Sequence, residues 1–549
     1  MMGWRWAGLS LVLGSAWLGC SDDPKPTPDG GTSLDAGSDD GGTGPADGGV
    51  DGGTSGRDGG TDAGSSTAVR VWSFTRYLTA NGFVDRPDDV SHIQLLVEEG
   101  DQLVPIPGRD GGPGESVFPD VPRVTYYLRW GHHYVVTDSR DLDLSGHRLG
   151  RPDFVTMDPD HEPTADIALQ GLETVWRPDP PPPFPTNPAD PEAMLRVTSP
   201  QVGYSGVIDL GHSIENSSWN ARDVSFYHEV IPAPHIEPEK GDRVWVVQLN
   251  PRLLGALPDG GTQNYLTAVR GLELPPLAYD GGQPFPIQGT FQRLTMNELP
   301  LDWQISRFAA HAAEVNPAAT LSTSLFRMEP TAYGPAESWV GYAGTVVEFQ
   351  RPRGEPADAR GTLVYGNPYP ASWGLVAMAS TSFRISYQIP GASLPAVTSV
   401  TSFVRGRPSD IGSGPIVPRI RPPLELTLDG TELYTSRTIT SGGHVLAWRP
   451  PAAGTPNAYV VSLRRLMTDP NIANPYFVPA GFFYTRGSTT SVRLPSGLLQ
   501  PGNTYFLTVR AVLAPGYDVS NKPFVIDDMV DYSAAHAMSG LLTVPPETP

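Results

Sequence analysis

Apolar and polar side chains alternate at period two through most of the chain, the spacing that sends successive residues to opposite faces of a strand. Val69-Arg70-Val71-Trp72-Ser73-Phe74 does so first, and Ile93-Gln94-Leu95-Leu96-Val97 follows. Tyr126–Trp130 and Tyr134–Val136 flank Gly131-His132-His133 and predict a hairpin. Strands are next expected at Gly206–Leu210, Val224–His228, Arg243–Leu249, Thr267–Leu272, Thr345–Phe349, Leu375–Ala379 and Phe383–Ile389. Turn signals separate them irregularly, and no repeat marks a propeller. One stretch differs: Leu301, Ile305, Phe308, Ala309, Ala312 and Val315 share one face at helical spacing. Asn297 can cap its start and Pro317 ends it, so an amphipathic helix is predicted near 298–316, plugging a barrel end or covering a sheet edge. Near the C-terminus Leu424–Leu428, His444–Arg449, Tyr459–Leu463, Ser491–Leu494 and Tyr505–Ala511 again alternate. With 60 Gly and 59 Pro spread evenly, long helices are excluded almost everywhere. The predicted fold class is all-β, built of multidomain β-sandwiches.

The first 67 residues have neither pattern. Arg5 precedes the apolar run Trp6–Leu18, which is shorter than the ~20 residues of a membrane-spanning helix. It fits a secretory signal peptide over residues 1–19. Gly19 and Cys20 close the run, and Cys20 is the only cysteine of the chain. This ending resembles a bacterial lipobox, with Trp17 standing where that family usually has Leu. The resemblance implies cleavage after Gly19, a diacylglyceryl thioether on Cys20 and retention in the cell envelope. Ser21, in place of an aspartate, leans toward the outer membrane, on its periplasmic or its surface face. Several acyl chains, at about 0.8 kcal/mol per buried CH₂, would make attachment effectively permanent.

Residues 21–67 carry ten Asp against Lys25 and Arg57, a net charge of −8, and no aromatic residue. Such a chain cannot bury enough apolar surface to offset ordering entropy, so a disordered Gly/Asp-rich tether is expected over 20–67. Its Asp-Gly-Gly units, at Asp29, Asp40, Asp47, Asp51 and Asp58, lack the carboxylate spacing and closing Glu of an EF-hand. Removing this −8 and the +1 of Arg5 from the overall −21 leaves −14 for the body. No Lys/Arg stripe appears, which excludes nucleic acid as a partner. One cysteine excludes an internal disulfide. Composition shifts divide the body into a small β-sandwich at 68–163, a large β-rich domain at 164–412 and a third domain at 413–549.

Candidate chemistry concentrates in 164–412. His228-Glu229, His235, Glu237 and Glu239 form the densest ligand-type cluster, but the spacing is not His-Glu-x-x-His and Ile231-Pro232-Ala233-Pro234 breaks any helix between the imidazoles. No metal site is expected from it. Neighbouring His132 and His133 would face opposite ways on a strand and read as turn residues. Gly203-Tyr204-Ser205-Gly206 is not a Gly-x-Ser-x-Gly elbow. No catalytic residue and no cofactor is therefore assigned, although a glycosidase-type carboxylate pair is invisible to sequence. Trp176, Trp219, Trp245, Trp303, Trp339 and Trp373 could stack on sugars, yet core packing is the default for each.

Two further stretches resemble known modules. Val117-Phe118-Pro119-Asp120-Val121-Pro122 before an aromatic strand is similar to transthyretin-like, carboxypeptidase-regulatory sandwiches. Trp448, Leu498, Pro501-Gly502 and Tyr505 resemble a fibronectin type III domain: the core Trp, and the corner before the next-to-last strand where a Tyr hydroxyl bonds the main chain. Leu541–Val544 would be the last strand, and Met467–Thr485 and Ala514–His536 are longer connections than that family has. The resemblance implies an extracytoplasmic spacer or binding module with a protein or carbohydrate ligand. The reading favours a non-enzymatic binding, adhesion or structural surface module anchored to the membrane through Cys20. The alternatives are an extracytoplasmic hydrolase of polysaccharide or peptide with its site in 164–412, and a periplasmic assembly or scaffold component.

Overall fold

The computed structural model describes residues 67–547, apart from 159–162, 175–190, 211–215, 231, 259, 335–337, 390–393 and 469–474. The signal segment with Gly19, the lipidation candidate Cys20, the tether and Trp176 lie outside the described residues. Strand accounts for 53% of the structure and helix for 5%, so the chain is all-β.

Val69–Trp72 lies between Asp141–Asp143 and Glu115–Phe118, and this sheet packs on a second one made of Gln94–Glu99, Gln102–Ile106, Tyr126–Trp130 and His133–Thr137. Val69, Val71, Leu95, Val97, Phe118, Tyr126, Leu128 and Val135 fill the space between them. Their alternation along each strand is what the period-two pattern encodes. The predicted hairpin closes through Gly131 and His132, with Trp130 opposite His133. Gly131 sits at φ 58°, where a missing Cβ removes the steric penalty.

In the middle of the chain Trp245–Ala256 pairs with Met194–Ser199 and Thr262–Glu273. Its run Trp245-Val246-Val247-Gln248-Leu249 is buried on both faces, which is why it reads as nearly continuous apolar sequence. Val246 faces a core with Leu195, Val197, Tyr204, Phe285 and Ile287. Trp245, Val247 and Leu249 face another, with Trp303, Phe326, Met328, Phe349 and Ala379. Leu375–Ala379 and Phe383–Ile389, expected as two strands, are one strand, Gly374–Tyr387.

The predicted helix is displaced. Met296–Trp303 is a strand paired with Ala359–Gly366, and only Ile305–Ala309 and Ala312–Val315 are helical. Leu299, Leu301 and Trp303 also satisfy period two, and they point inward as a buried row. Pro300 decides between the periods: it breaks a helix interior but is tolerated on a strand without an outer neighbour. Asn297 therefore caps nothing. The first helix starts at Ile305, and the chain passes from the second to extended backbone at Asn316.

The C-terminal residues form a sandwich. Thr431–Glu432, Leu424–Leu428, His444–Arg449 and Ser491–Leu494 make one sheet. Tyr476–Arg486, Ala458–Met467, Thr504–Leu513 and Tyr532–Met538 make the other. Trp448 lies between them, 5.1 Å from the Tyr459 ring in an edge-on arrangement. Two connections that looked like insertions contain strands. Tyr476–Arg486 lies inside the first, and Tyr532–Met538, not Leu541–Val544, supplies the long last strand, with Leu542–Thr543 adding a short pairing to Thr504 and Tyr505.

These strands join the segments. Tyr476–Arg486 takes His133–Thr137 as a parallel neighbour, and Tyr532–Met538 pairs with Ala396–Gly406. Residues 68–549 form one compact unit by backbone proximity. His133 is a strand residue at the first junction: its Nδ1 is 3.1 Å from Tyr484 Oη and its ring stacks on Phe482 at 5.1 Å. His132 remains exposed in the turn.

Candidate functional site

The expected ligand cluster is dispersed into separate pairings. Arg196 Nη1 donates to Glu229 Oε1 and Oε2 at 3.0 and 2.7 Å. Glu237 accepts from Arg151 at 2.6 Å and from Lys240 at 3.0 Å. His228 lies against the rings of Tyr204 and Phe226, at 5.3 and 5.2 Å. His235 donates its main-chain N–H to Val155, and Glu239 is exposed. Among the described residues no group of three His, Cys, Asp or Glu is placed to hold a metal. Ser205 Oγ donates to Glu229 and not to an imidazole. Trp245 and Trp303 are buried, as core packing requires.

What the middle region does contain is a network of opposed charges. Arg196 Nη1 also reaches Tyr342 Oη at 2.6 Å, and Tyr342 Oη meets Thr345 Oγ1 at 2.8 Å. Across the ladder Arg327 stands opposite Glu348, with Nε donating to Oε2 at 3.0 Å. Burial pushes the Glu348 carboxyl up, but Arg327 and Arg196 outweigh it and hold it below the usual range. Glu329, two residues beyond Arg327, goes the other way: burial raises it despite both guanidiniums. Arg405 continues the network, donating to the carbonyls of Asp527 and Met529 and lying 5.2 Å over Trp339. Two ion pairs thus stand in this network, Arg196 with Glu229 and Arg327 with Glu348, while Glu329 has no ion pair among the described residues.

An open groove lies elsewhere, where the hairpin 126–137 meets the C-terminal sandwich. Its volume is about 300 Å³, at the small end of the range for ligand sites. Arg129, His132 and Tyr134 line one side; Arg465, Pro479, Leu498 and Tyr505 line the other. Sheet register positions the second wall, since Arg465 stands opposite Tyr505 on the neighbouring strand. Tyr134 is fixed from behind by Phe483, stacked at 4.6 Å and 10°. Arg129 lies 5.8 Å from the Tyr134 ring centroid, near the ~6 Å limit for a cation–π contact. Pro479 belongs to the strand Tyr476–Arg486, where it stands opposite Arg464. Sequence reading missed Arg129 and Arg465 because no local motif links residues so far apart.

No family model matches the chain, and none of the curated proteins does. Among solved structures, the FN1-FN3 domains of chicken CNTN1 align over 72% of this chain and 99% of theirs, at 7% identity and a TM-score of 0.13. The three N-terminal domains of the bacteriophage RB49 Highly Immunogenic Outer Capsid protein align over 70% and 100%, at 8% identity and a TM-score of 0.16. Scores this low carry no argument, so the sandwich description rests on the strand pairing above.

Proposed function

We propose that the chain is a lipid-anchored protein of the bacterial cell envelope acting as a non-enzymatic binding, adhesion or structural surface module. Signal cleavage after Gly19 would leave Cys20 as the acylated N-terminus, and residues 21–67 would be the tether that carries the β body away from the membrane. The outer membrane is the proposed location. The observation that supports binding over catalysis is the groove at the junction of two sandwiches, lined by arginine, tyrosine and proline. The half-buried carboxylates Glu229 and Glu348 are each committed to an arginine instead.

The deciding experiment compares wild type with Cys20→Ala in the native host, by detergent partitioning and protease shaving of intact cells. The anchored reading requires wild type in the detergent phase and the variant in the aqueous phase. Both variants in the aqueous phase would overturn it. Cleavage by external protease supports a surface module, and protection supports a periplasmic scaffold.

A further inference from the structure

We infer that the groove between residues 129–134 and 465–505 is a binding site for a small ligand bearing a single carboxylate. The inference names the ligand class for the binding module proposed above and rests on that reading. Three observations carry it.

First, Arg465 lines the groove, and no carboxylate among the described residues pairs with it. Arg151, Arg196 and Arg327, by contrast, are each paired with a carboxylate, that of Asp242, Glu229 and Glu348. Arginine carries five donors in a fixed fork, and with no carboxylate of the described residues on it, the part of the Arg465 fork that lines the groove is left for a ligand oxygen.

Second, Arg129 on the opposite wall is held only loosely. Its side chain reaches Gly131 O and Gln94 Oε1 at 3.4 Å each, both of them neutral acceptors.

Third, the lining is cationic within an acidic protein. No Asp or Glu lines the groove, although Asp and Glu outnumber Lys and Arg by 59 to 38 over the chain. Leu498, Pro479 and the Tyr134 ring give it an apolar side suited to a sugar ring or an aliphatic side chain. The volume of about 300 Å³ admits one residue of either kind. The surrounding negative field opposes a dianion more than a monoanion, which favours carboxylate over phosphate.

The carboxylate could belong to an acidic sugar or to the end of a peptide. D-galacturonate and N-acetyl-L-leucine probe the two sources, with D-galactose and N-acetyl-L-leucinamide as neutral counterparts. Binding to the full chain is followed by calorimetry and ligand-observed NMR. At least one acid should bind, more weakly as salt is raised, and its neutral counterpart should not. Arg465→Met and Arg129→Met should each weaken binding about tenfold or more, with the urea unfolding midpoint confirming that each variant is folded. Preference for galacturonate identifies an acidic glycan as the source, and preference for the acylated amino acid identifies a peptide terminus. Binding of neither acid overturns the inference, as does equal binding of acid and neutral counterpart or unchanged affinity in both folded variants. Those failures would leave the partitioning of wild type and Cys20→Ala unaffected, so the groove and the anchor fail separately.

Discussion

The Tyr505 phenol accepts the main-chain N–H of Gln500 at 3.0 Å, tying the corner of the C-terminal sandwich to the strand that follows it. The ring itself is buried beside Leu499 and Leu507. Tyr505→Phe keeps the packing and removes only the hydroxyl. It should lower stability by about 0.5–1.5 kcal/mol, read as a shift of the urea midpoint at unchanged slope. A midpoint identical to wild type would mean that water replaces the phenol without cost.

Arg196 is the hub of the partly buried charge network, and removing it leaves the Glu229 side chain with Ser205 as its remaining partner. Arg196→Met should cost about 3–5 kcal/mol at pH 7, the usual effect of breaking a buried pair. The double variant Arg196→Met/Glu229→Gln should recover most of the stability. If the double variant is no better than the single one, Arg196 contributes through packing and not through charge.

The strand pattern was legible because burial on one face leaves a local signature, as in Val69, Val71 and Leu95. It failed where two periods fit the same residues. Leu301 lies on a helical face with Ile305 and Phe308, but also on a strand face with Leu299 and Trp303, and only Pro300 separates the alternatives. The core Trp448 and the corner Tyr505 were found because a module motif spans them. The pairing of Arg196 with Glu229, Arg327 with Glu348, and the convergence of Arg129 on Arg465 were not readable. Each depends on which strands neighbour one another, a long-range property that residue type and spacing do not encode.

Two histidines should make the folded protein acid-sensitive. Burial lowers His536 to about 3, assisted by the Arg510 charge, while its Nδ1–H donates to Thr401 O at 2.8 Å. Burial likewise lowers His311 to about 4, assisted by Arg421. Both stay neutral in the folded state and take up a proton when unfolded below pH ~6.5, so stability must fall as pH falls. Between pH 6.5 and 5 each should contribute a loss of about 1.6 kcal/mol, the slope rising toward ~1.36 kcal/mol per unit as the unfolded imidazole becomes fully protonated. His536→Gln should flatten the stability profile over that interval by about this amount. A profile parallel to wild type would show that His536 titrates normally in the fold.

Gly344 packs against the Tyr369 ring, which stacks on Trp373 at 5.7 Å. It stands at φ 138°, a backbone conformation that L side chains rarely adopt. A methyl group there would fall within the van der Waals radius of the Tyr369 hydroxyl. Tyr369 is buried, and Trp373 packs further on Trp245 at 5.1 Å, so the ring has no free direction in which to retreat. Gly344→Ala therefore combines backbone strain with overpacking and should cost about 2–5 kcal/mol. Gly100→Ala separates the two contributions. Gly100 also has positive φ, 63°, but nothing lies near its missing side chain. Strain alone should cost about 1–2 kcal/mol there. Equal midpoints for the two variants would place the whole penalty in the backbone and none in the Tyr369 contact.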